Sequence, residues 1–293
     1  MFEGFDTLRV AASGVELFCR VGGSGPPLVL LHGFPQTHAC WHAVAPRLAE
    51  RFTVVVPDLP GYGLSGARPP GENHEAYSKR RIAIDVVALM AHFGHERFAL
   101  AGHDRGARVG YRLALDQPER VTRLALLDIL PTFEMFERMD ANVAQRMYHW
   151  LFLAQPHPLP ERLIERDAEF FVRHTLHAWL GAGAAFAPEA LASYVGAFRN
   201  PSVVRAACED YRAGFHIDRH DDGADLAAGR RIACPVLVLW GEQFGLGRAG
   251  NPIEVWERWA VDVRGGALPT GHFLPEEAPE ATADALLEFF GGA

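Results

Sequence analysis

Short apolar runs alternate with amphipathic stretches along much of the chain. Five runs rich in Val and Leu are bounded by Gly, Pro or Asp, which is typical of buried strands. These runs are Leu28–Leu31, Thr53–Val56, Phe98–Ala101, Leu124–Leu127 and Val236–Leu239. Helical spacing of apolar residues predicts helices over Arg81–Phe93 and Ala281–Phe290. Strands alternating with helices indicate an α/β fold whose mostly parallel sheet is covered on both faces.

The alternation stops after Leu130 and returns at Cys234. The intervening chain is rich in aromatic residues and His, is helical in pattern, and has no strong strand candidate. We therefore expect a helical cap inserted into one sheet domain, because a separate C-terminal domain would leave the sheet incomplete. The predicted division is a first core part (1–130), a helical cap (131–228) and a second core part (229–293).

Composition excludes several classes of function. Hydrophobic residues make up 49% and charged residues 22% of the 293 residues, as in ordinary globular proteins. The net charge of -8 argues against nucleic acid as a partner, although local arginines can still bind a small anion. No apolar stretch suits a membrane span and the N-terminus lacks secretory features, so we expect a cytoplasmic protein without a membrane partner. The four scattered cysteines indicate free thiols rather than a metal site.

The sharpest motif is Gly-His-Asp-Arg-Gly at 102–106, between a predicted strand and a predicted helix. This is the pattern of a nucleophile elbow, with Asp104 where serine hydrolases carry Ser. The alternative is a plain turn whose Asp caps the helix. The position after a core strand, together with the motifs below, favours the nucleophile.

An aspartate nucleophile defines the chemistry. Its carboxylate attacks an sp³ carbon, displaces a leaving group and forms an alkyl ester that water must then hydrolyse. Cleavage of a carbon–halogen bond and opening of an epoxide both fit this route, whereas simple ester hydrolysis fits it poorly.

Three further segments supply the partners of such a nucleophile. His272, in a late Gly-His-Phe loop, is the predicted base that activates water. Asp128 and Glu242 each follow a predicted strand, and either carboxylate could orient the His272 imidazole. We prefer Asp128, because it directly ends its strand and has the shorter side chain. Backbone N–H groups of Phe34, in a His-Gly-Phe-Pro-Gln segment, and of Arg105 are the predicted oxyanion hole.

These motifs together resemble those of the fluoroacetate (haloacetate) dehalogenases of the α/β-hydrolase superfamily. The matching segments are His-Asp-Arg-Gly-Ala-Arg at 103–108, His-Gly-Phe-Pro-Gln at 32–36, Leu-Asp-Ile-Leu-Pro at 127–131 and Gly-His-Phe-Leu-Pro-Glu-Glu at 271–277. The likeness extends into the cap, through Tyr-His-Trp at 148–150 and Cys-Glu-Asp-Tyr-Arg-Ala-Gly at 208–214. It implies an α/β-hydrolase fold, hydrolysis of a short 2-haloacid to a hydroxy acid and halide, and a homodimer without metal or organic cofactor.

The resemblance also assigns roles by matched position. The implied roles are nucleophile for Asp104, acid for Asp128, base for His272, carboxylate binding for Arg105 and Arg108, halide binding for His149, Trp150 and Tyr211, and pocket lining for Trp179. Two guanidinium groups near the nucleophile suit a small carboxylate. Ring N–H and phenol O–H groups suit a departing halide, because preorganised donors stabilise the developing anion.

Two rival functions use the same residues differently. An epoxide hydrolase would share the triad but would need cap tyrosines, with Tyr148, Tyr194 and Tyr211 as candidates. A charged residue at Arg105 suits an anionic substrate better than a neutral epoxide. A non-catalytic small-molecule receptor would have no need of the nucleophile. The Gly-rich loop 241–248 lies near the predicted site, and the sequence assigns it no role.

Overall fold

A computed structural model describes residues 1–246 and 250–292 and contains one eight-stranded sheet. Its strands are β1 (Asp6–Ala12), β2 (Val15–Gly22), β3 (Pro27–Leu31), β4 (Thr53–Pro57), β5 (Phe98–His103), β6 (Val121–Leu127), β7 (Val236–Gly241) and β8 (Val263–Leu268). They are ordered β1-β2-β4-β3-β5-β6-β7-β8. The β1–β2 hairpin pairs antiparallel with β4, and all later neighbours pair in parallel. The carboxyl ends of the parallel strands therefore share one edge.

Helices cover the sheet because its central strands are apolar along both faces. All six residues of β5 are buried, as a parallel strand between two helical layers requires. The core helices are α1 (Ala45–Ala49), α2 (Lys79–His92), α3 (Arg105–Asp116), α12 (Pro252–Trp256), α13 (Leu274–Glu277) and α14 (Pro279–Gly291).

The segment between β6 and β7 is helical throughout its regular structure. It contains α4 (Thr132–Glu137), α5 (Ala141–Arg146), α6 (Tyr148–Leu153), α7 (Leu159–Arg166), α8 (Ala168–Trp179), α9 (Pro188–Phe198), α10 (Pro201–Ala213), a π-helical turn (Gly214–Asp218) and α11 (Arg219–Ala227). Residues 128–235, all described, include no strand of the sheet. The predicted helical character of this segment is confirmed, and the exact division at 130 and 228 stays a prediction.

The five strands and two helices expected from the sequence are present, and the α/β fold class is confirmed. The hairpin β1–β2 was not anticipated. Its first strand has an almost wholly exposed pattern, with Val10 and Ala12 as its buried residues. Two short 3₁₀ turns, His38–Trp41 and Glu75–Tyr77, complete the regular structure of the core. Within the described residues, no helix is both long and apolar enough to cross a membrane.

Candidate active site

The chain turns sharply between β5 and α3, and Asp104 is the residue at the turn. Its backbone has a φ of 47°, in a region that residues with side chains seldom adopt. Gly106 permits the tight packing that follows, because a Cβ there would lie 2.5 Å from the carbonyl oxygens of Leu31 and His32. The turn places the Asp104 carboxylate at the carboxyl edge of the sheet and at the N-terminus of α3, which favours an anion.

The two oxygens of Asp104 have different environments. Oδ1 accepts a hydrogen bond of 2.9 Å from the backbone N–H of Phe34, whereas Oδ2 lies 3.8 Å from Nε2 of His272. Burial alone raises the pKa of Asp104, but the nearby charges of His272 and Arg105 outweigh it and hold the pKa below its usual value. The sequence predicted that the backbone N–H groups of Phe34 and Arg105 would both face this site. Within the described chain, the N–H of Phe34 donates to the Asp104 carboxylate and that of Arg105 does not. Asp104 is thus an anion with one anchored and one free oxygen.

His272 lies in the loop between β8 and α13, with Asp128 directly behind its ring. Nδ1 of His272 is 2.5 Å from Oδ2 of Asp128, whose other oxygen accepts a 3.0 Å hydrogen bond from the Gly241 N–H. Burial alone lowers the pKa of His272, but the hydrogen bond and charge of Asp128 raise it above its ordinary value. Glu242, the alternative acid, is exposed. The geometry therefore favours Asp128 as the carboxylate that orients the imidazole.

Arg105 is buried and paired with Asp210 of the cap. Its Nε and Nη2 donate to the Asp210 carboxylate at 2.8 and 3.0 Å, and Nη2 also donates to the Asp210 carbonyl oxygen at 2.8 Å. The guanidinium lies 4.2 Å from the centre of the Tyr211 ring. Asp210 therefore occupies the Nε and Nη2 edge of the Arg105 guanidinium. A substrate carboxylate would have to bind Arg105 through Nη1.

Arg108 is also buried, but no carboxylate pairs with it among the described residues. Its Nη1 donates to the Leu130 carbonyl oxygen at 3.0 Å and to Thr132 Oγ1 at 3.1 Å. Its guanidinium lies 4.6 Å from the centre of the Trp150 ring, and its Nε has no hydrogen-bond partner within the described chain. Burial lowers the pKa of Arg108, which reflects the cost of keeping this cation without an anion.

The predicted halide donors form one aromatic cluster, and two of them, His149 and Trp150, line the same cavity as Asp104. The ring centres of His149 and Trp150 lie 5.7 and 6.2 Å from that of Tyr211. His149 Nδ1 and the Tyr211 hydroxyl are buried without a hydrogen-bond partner among the described residues. Burial lowers the pKa of His149 to about 3, so its imidazole is neutral at ordinary pH. Burial, and then the charge of Asp104, raise the pKa of Tyr211, so its hydroxyl remains a donor.

A cavity of about 20 Å³ lies between these groups. It is lined by Asp104, Arg108, Asp128, Ile129, Met135, Met147, His149, Trp150, Trp179, Phe244, Leu246 and His272. This volume exceeds only slightly the space that one water molecule needs, so the lining side chains pack closely around the cavity. Arg105, Tyr211 and Phe34 lie outside its lining. Phe34 instead contacts Asp104 through its backbone N–H.

An outer cavity of about 450 Å³ adjoins the inner one and shares Met135, Met147, Trp179, Phe244 and Leu246 with it. Phe244 and Leu246 belong to the Gly-rich loop, so the described part of that loop lines both cavities. Gly247 and Arg248, in the same loop, lie outside the described residues.

Sequence reasoning missed the partner of Arg105 and most of the cavity wall. Asp210 immediately precedes Tyr211 in a cap motif, but it lies 105 residues from Arg105 in sequence, and no local pattern indicated their pairing. The methionines that narrow the cavity carried no signal either, because Met fits many environments.

A mostly parallel sheet, a sharp strand-to-helix turn at Asp104, a buried histidine backed by an acid and an inserted helical segment are together typical of an α/β hydrolase. The sequence model described as alpha/beta hydrolase fold matches residues 26–277, and the chain belongs to this family. The predicted hydrolase class and superfamily are therefore confirmed.

Three relatives show how closely the chain follows particular members. It is 45% identical to the fluoroacetate dehalogenase of a Burkholderia species over 100% of this chain and 96% of that protein, which confirms the resemblance noted in the sequence. It is 34% identical to the soluble epoxide hydrolase of Corynebacterium sp. (strain C12), over 95% and 94% of the two chains. The crystal structure of an α/β hydrolase from Nostoc sp. PCC 7120 superposes with a TM-score of 0.97 at 48% identity, over 100% of both chains.

Proposed function

We propose that this chain hydrolyses a short 2-haloacid, such as fluoroacetate or chloroacetate, to glycolate and halide. The observation that carries the proposal is that the two carboxylate oxygens of Asp104 have different environments. Its Oδ1 is held by the Phe34 N–H, while its Oδ2 faces His272 across the cavity that Arg108 also lines. The 45% identity to a fluoroacetate dehalogenase supports the same substrate class.

The first step alkylates the nucleophile. Oδ2 of Asp104 forms a bond to the carbon that bears the halogen, and the carbon–halogen bond breaks with its electron pair on the halide. Arg108, and the Nη1 end of Arg105, would hold the substrate carboxylate and offset its repulsion from Asp104. The donors of His149, Trp150 and Tyr211 would stabilise the leaving halide.

The second step hydrolyses the ester. Nε2 of His272 takes a proton from water, and the resulting hydroxide attacks Cγ of Asp104. Negative charge then develops on Oδ1, where the Phe34 N–H already donates. Collapse expels the glycolate oxygen, which recovers the proton from His272, and the new carboxyl group of Asp104 loses its proton to solvent.

Incubation with fluoroacetate, chloroacetate and styrene oxide tests this function against its rivals. We expect halide and glycolate in equal amounts, measured with a fluoride electrode and by ion chromatography. Diol without halide would favour epoxide hydrolysis, and neither product would favour a receptor. A single turnover in H₂¹⁸O adds a test of mechanism: the label should appear on Asp104 and not in the first glycolate released.

The cap tyrosines count against the epoxide alternative. Opening an epoxide requires phenol donors at the oxygen. The hydroxyl of Tyr194 donates to Glu276, and Tyr148 is 43% exposed. Tyr211 alone of the three combines burial with an unpartnered hydroxyl within the described chain.

A further inference from the structure

One carboxylate ties the loop of His272 to the cap. Glu277, at the end of α13, accepts three backbone hydrogen bonds of 2.8 Å each: Oε2 from Gly181 and Gly271, and Oε1 from Phe273. Gly271 and Phe273 flank His272 in sequence, whereas Gly181 lies two residues beyond the end of α8 in the cap. A single side chain therefore holds both segments.

The two backbones are also in direct contact at this place. The N–H of His272 donates to the carbonyl oxygen of Trp179 at 2.9 Å. A Cβ at Gly271 would lie 2.2 Å from the nitrogen of Gly181 and 2.5 Å from the Trp179 carbonyl oxygen, so only glycine allows this approach. Trp179 lines the cavity, and its position is thus linked to that of the base.

Glu277 also contributes charge near the imidazole. Within residues 1–246 and 250–292, it makes no ion pair. The other titratable groups facing His272 are Asp104, Asp128, His103 and His149. Burial lowers the pKa of both His103 and His149 to about 3, so these two imidazoles are neutral. Burial lowers the pKa of His272, and Asp128, then Asp104, then Glu277 raise it.

We propose that Glu277 is a positioning residue for His272: its carboxylate holds the loop of the base against the end of α8 and lies near the imidazole ring. The inference rests on the proposed two-step function, in which His272 acts only after Asp104 has been alkylated. A defect at position 277 should therefore slow ester hydrolysis and leave alkylation intact.

Glu277→Gln tests this directly, because it keeps the size of the side chain but removes its charge and turns an NH₂ group toward backbone donors. We expect a rapid burst of halide, equal to the enzyme concentration and as fast as in the wild type. Steady-state turnover should then fall about 10- to 100-fold, the range typical of groups that orient a functional histidine. The acid limb of the kcat profile should move to lower pH, by about one unit or less.

Glu276→Gln is the matched control. Glu276 is the neighbour of Glu277 on α13 and also connects the core to the cap, but through the Tyr194 hydroxyl of α9. Burial raises its pKa to about 8, so its carboxyl is already protonated at neutral pH and the change preserves its charge. Burst and steady state should both match the wild type. Glu277→Asp keeps the charge at position 277 with a shorter reach, so its acid limb should stay in place while its turnover falls.

Two results would overturn the inference: an equal loss of burst rate and turnover in Glu277→Gln, or the same kinetic defect in Glu276→Gln. A wild-type enzyme that releases no halide would instead refute the proposed function. In that case an NMR titration of the His272 imidazole still decides the inference, which is wrong if Glu277→Gln leaves the pKa unchanged. If Glu277→Gln fails to fold, Glu277→Asp replaces it in the kinetic test. An equal loss of burst rate and steady-state turnover in Glu277→Asp would then contradict the inference.

Discussion

Tyr211→Phe should separate activity from stability, because it removes a hydroxyl that the folded chain does not use. That hydroxyl is buried without a hydrogen-bond partner among the described residues, while the ring packs 5.1 Å from Phe34 and 4.2 Å from the Arg105 guanidinium. Phenylalanine retains these ring contacts and removes an unsatisfied polar group. We expect the free energy of unfolding to stay constant or to rise by about 1 kcal/mol.

In the proposed mechanism the same change also removes a donor to the leaving halide. Loss of one preorganised donor costs about 2.7–4 kcal/mol of barrier, so defluorination of fluoroacetate should fall roughly 100- to 1000-fold. Chloride is a weaker acceptor than fluoride, and for chloroacetate we expect a loss of about tenfold, or ~1.4 kcal/mol. The ratio of the two losses measures how much of the effect arises at the leaving group.

Halide release and urea unfolding are measured on the same preparations, with Tyr194→Phe as the control. The Tyr194 hydroxyl donates to Glu276, so this variant leaves a buried carboxyl without its donor and should lose about 1–3 kcal/mol of stability with turnover preserved. The reasoning is refuted if Tyr211→Phe is destabilised as strongly as Tyr194→Phe, or if both haloacetates slow by the same factor.

Three more variants follow from the site. In His272→Asn the ester on Asp104 should form and persist, and intact-protein mass spectrometry that finds no adduct would contradict the two-step scheme. Asp210→Asn removes the buried carboxylate that Arg105 and Lys79 share, and urea unfolding should show a loss of about 3–5 kcal/mol, so an unchanged midpoint would argue against these pairs. The proposed mechanism requires neutral His272, and Asp128 raises the pKa of that imidazole above its ordinary value, so kcat should fall as the pH drops through this raised pKa. In Asp128→Asn the same acid limb should lie at lower pH, and an unmoved limb would contradict this.

The fold was predictable where local pattern and burial agree. The strand preceding Asp104 is buried along its whole length, so a short apolar run sufficed to identify it. The hairpin β1–β2 was not predicted from the sequence, because β1 lies at the sheet edge and most of its residues face solvent. Such a strand shows little of the hydrophobic alternation that identifies a strand. The reappearance of apolar runs at Cys234 revealed the cap by contrast with the helical chain before it.

In the candidate site, too, the residues within local motifs were predicted from the sequence, and the residues that meet only in the folded chain were not. The elbow at Asp104 and the loop at His272 are defined by neighbours in sequence, and a motif can represent them. Asp210 meets Arg105 across 105 residues, and Met147, which directly precedes α6, lines the same cavity as Asp104. Such contacts depend on how the cap docks, which no local pattern encodes. Glu277 stood in a quoted motif, yet its three backbone partners became apparent only in three dimensions.

The charges around Asp104 bear on the choice between a haloacid and an epoxide substrate more directly than Asp128 and His272 do, because both proposed reactions would use those two residues. Two carboxylates about 4 Å apart repel by ~4 kcal/mol at an effective dielectric constant of about 20, so Asp104 alone would disfavour a haloacid. Arg108 lines the same cavity with its Nε unpartnered among the described residues, and a substrate carboxylate would both satisfy that donor and offset the repulsion. A neutral epoxide would leave the guanidinium buried and its donor unmet, which is costly. Discrimination between haloacid and epoxide should therefore respond to changes at Arg108, whereas changes at Asp128 should impair both reactions alike.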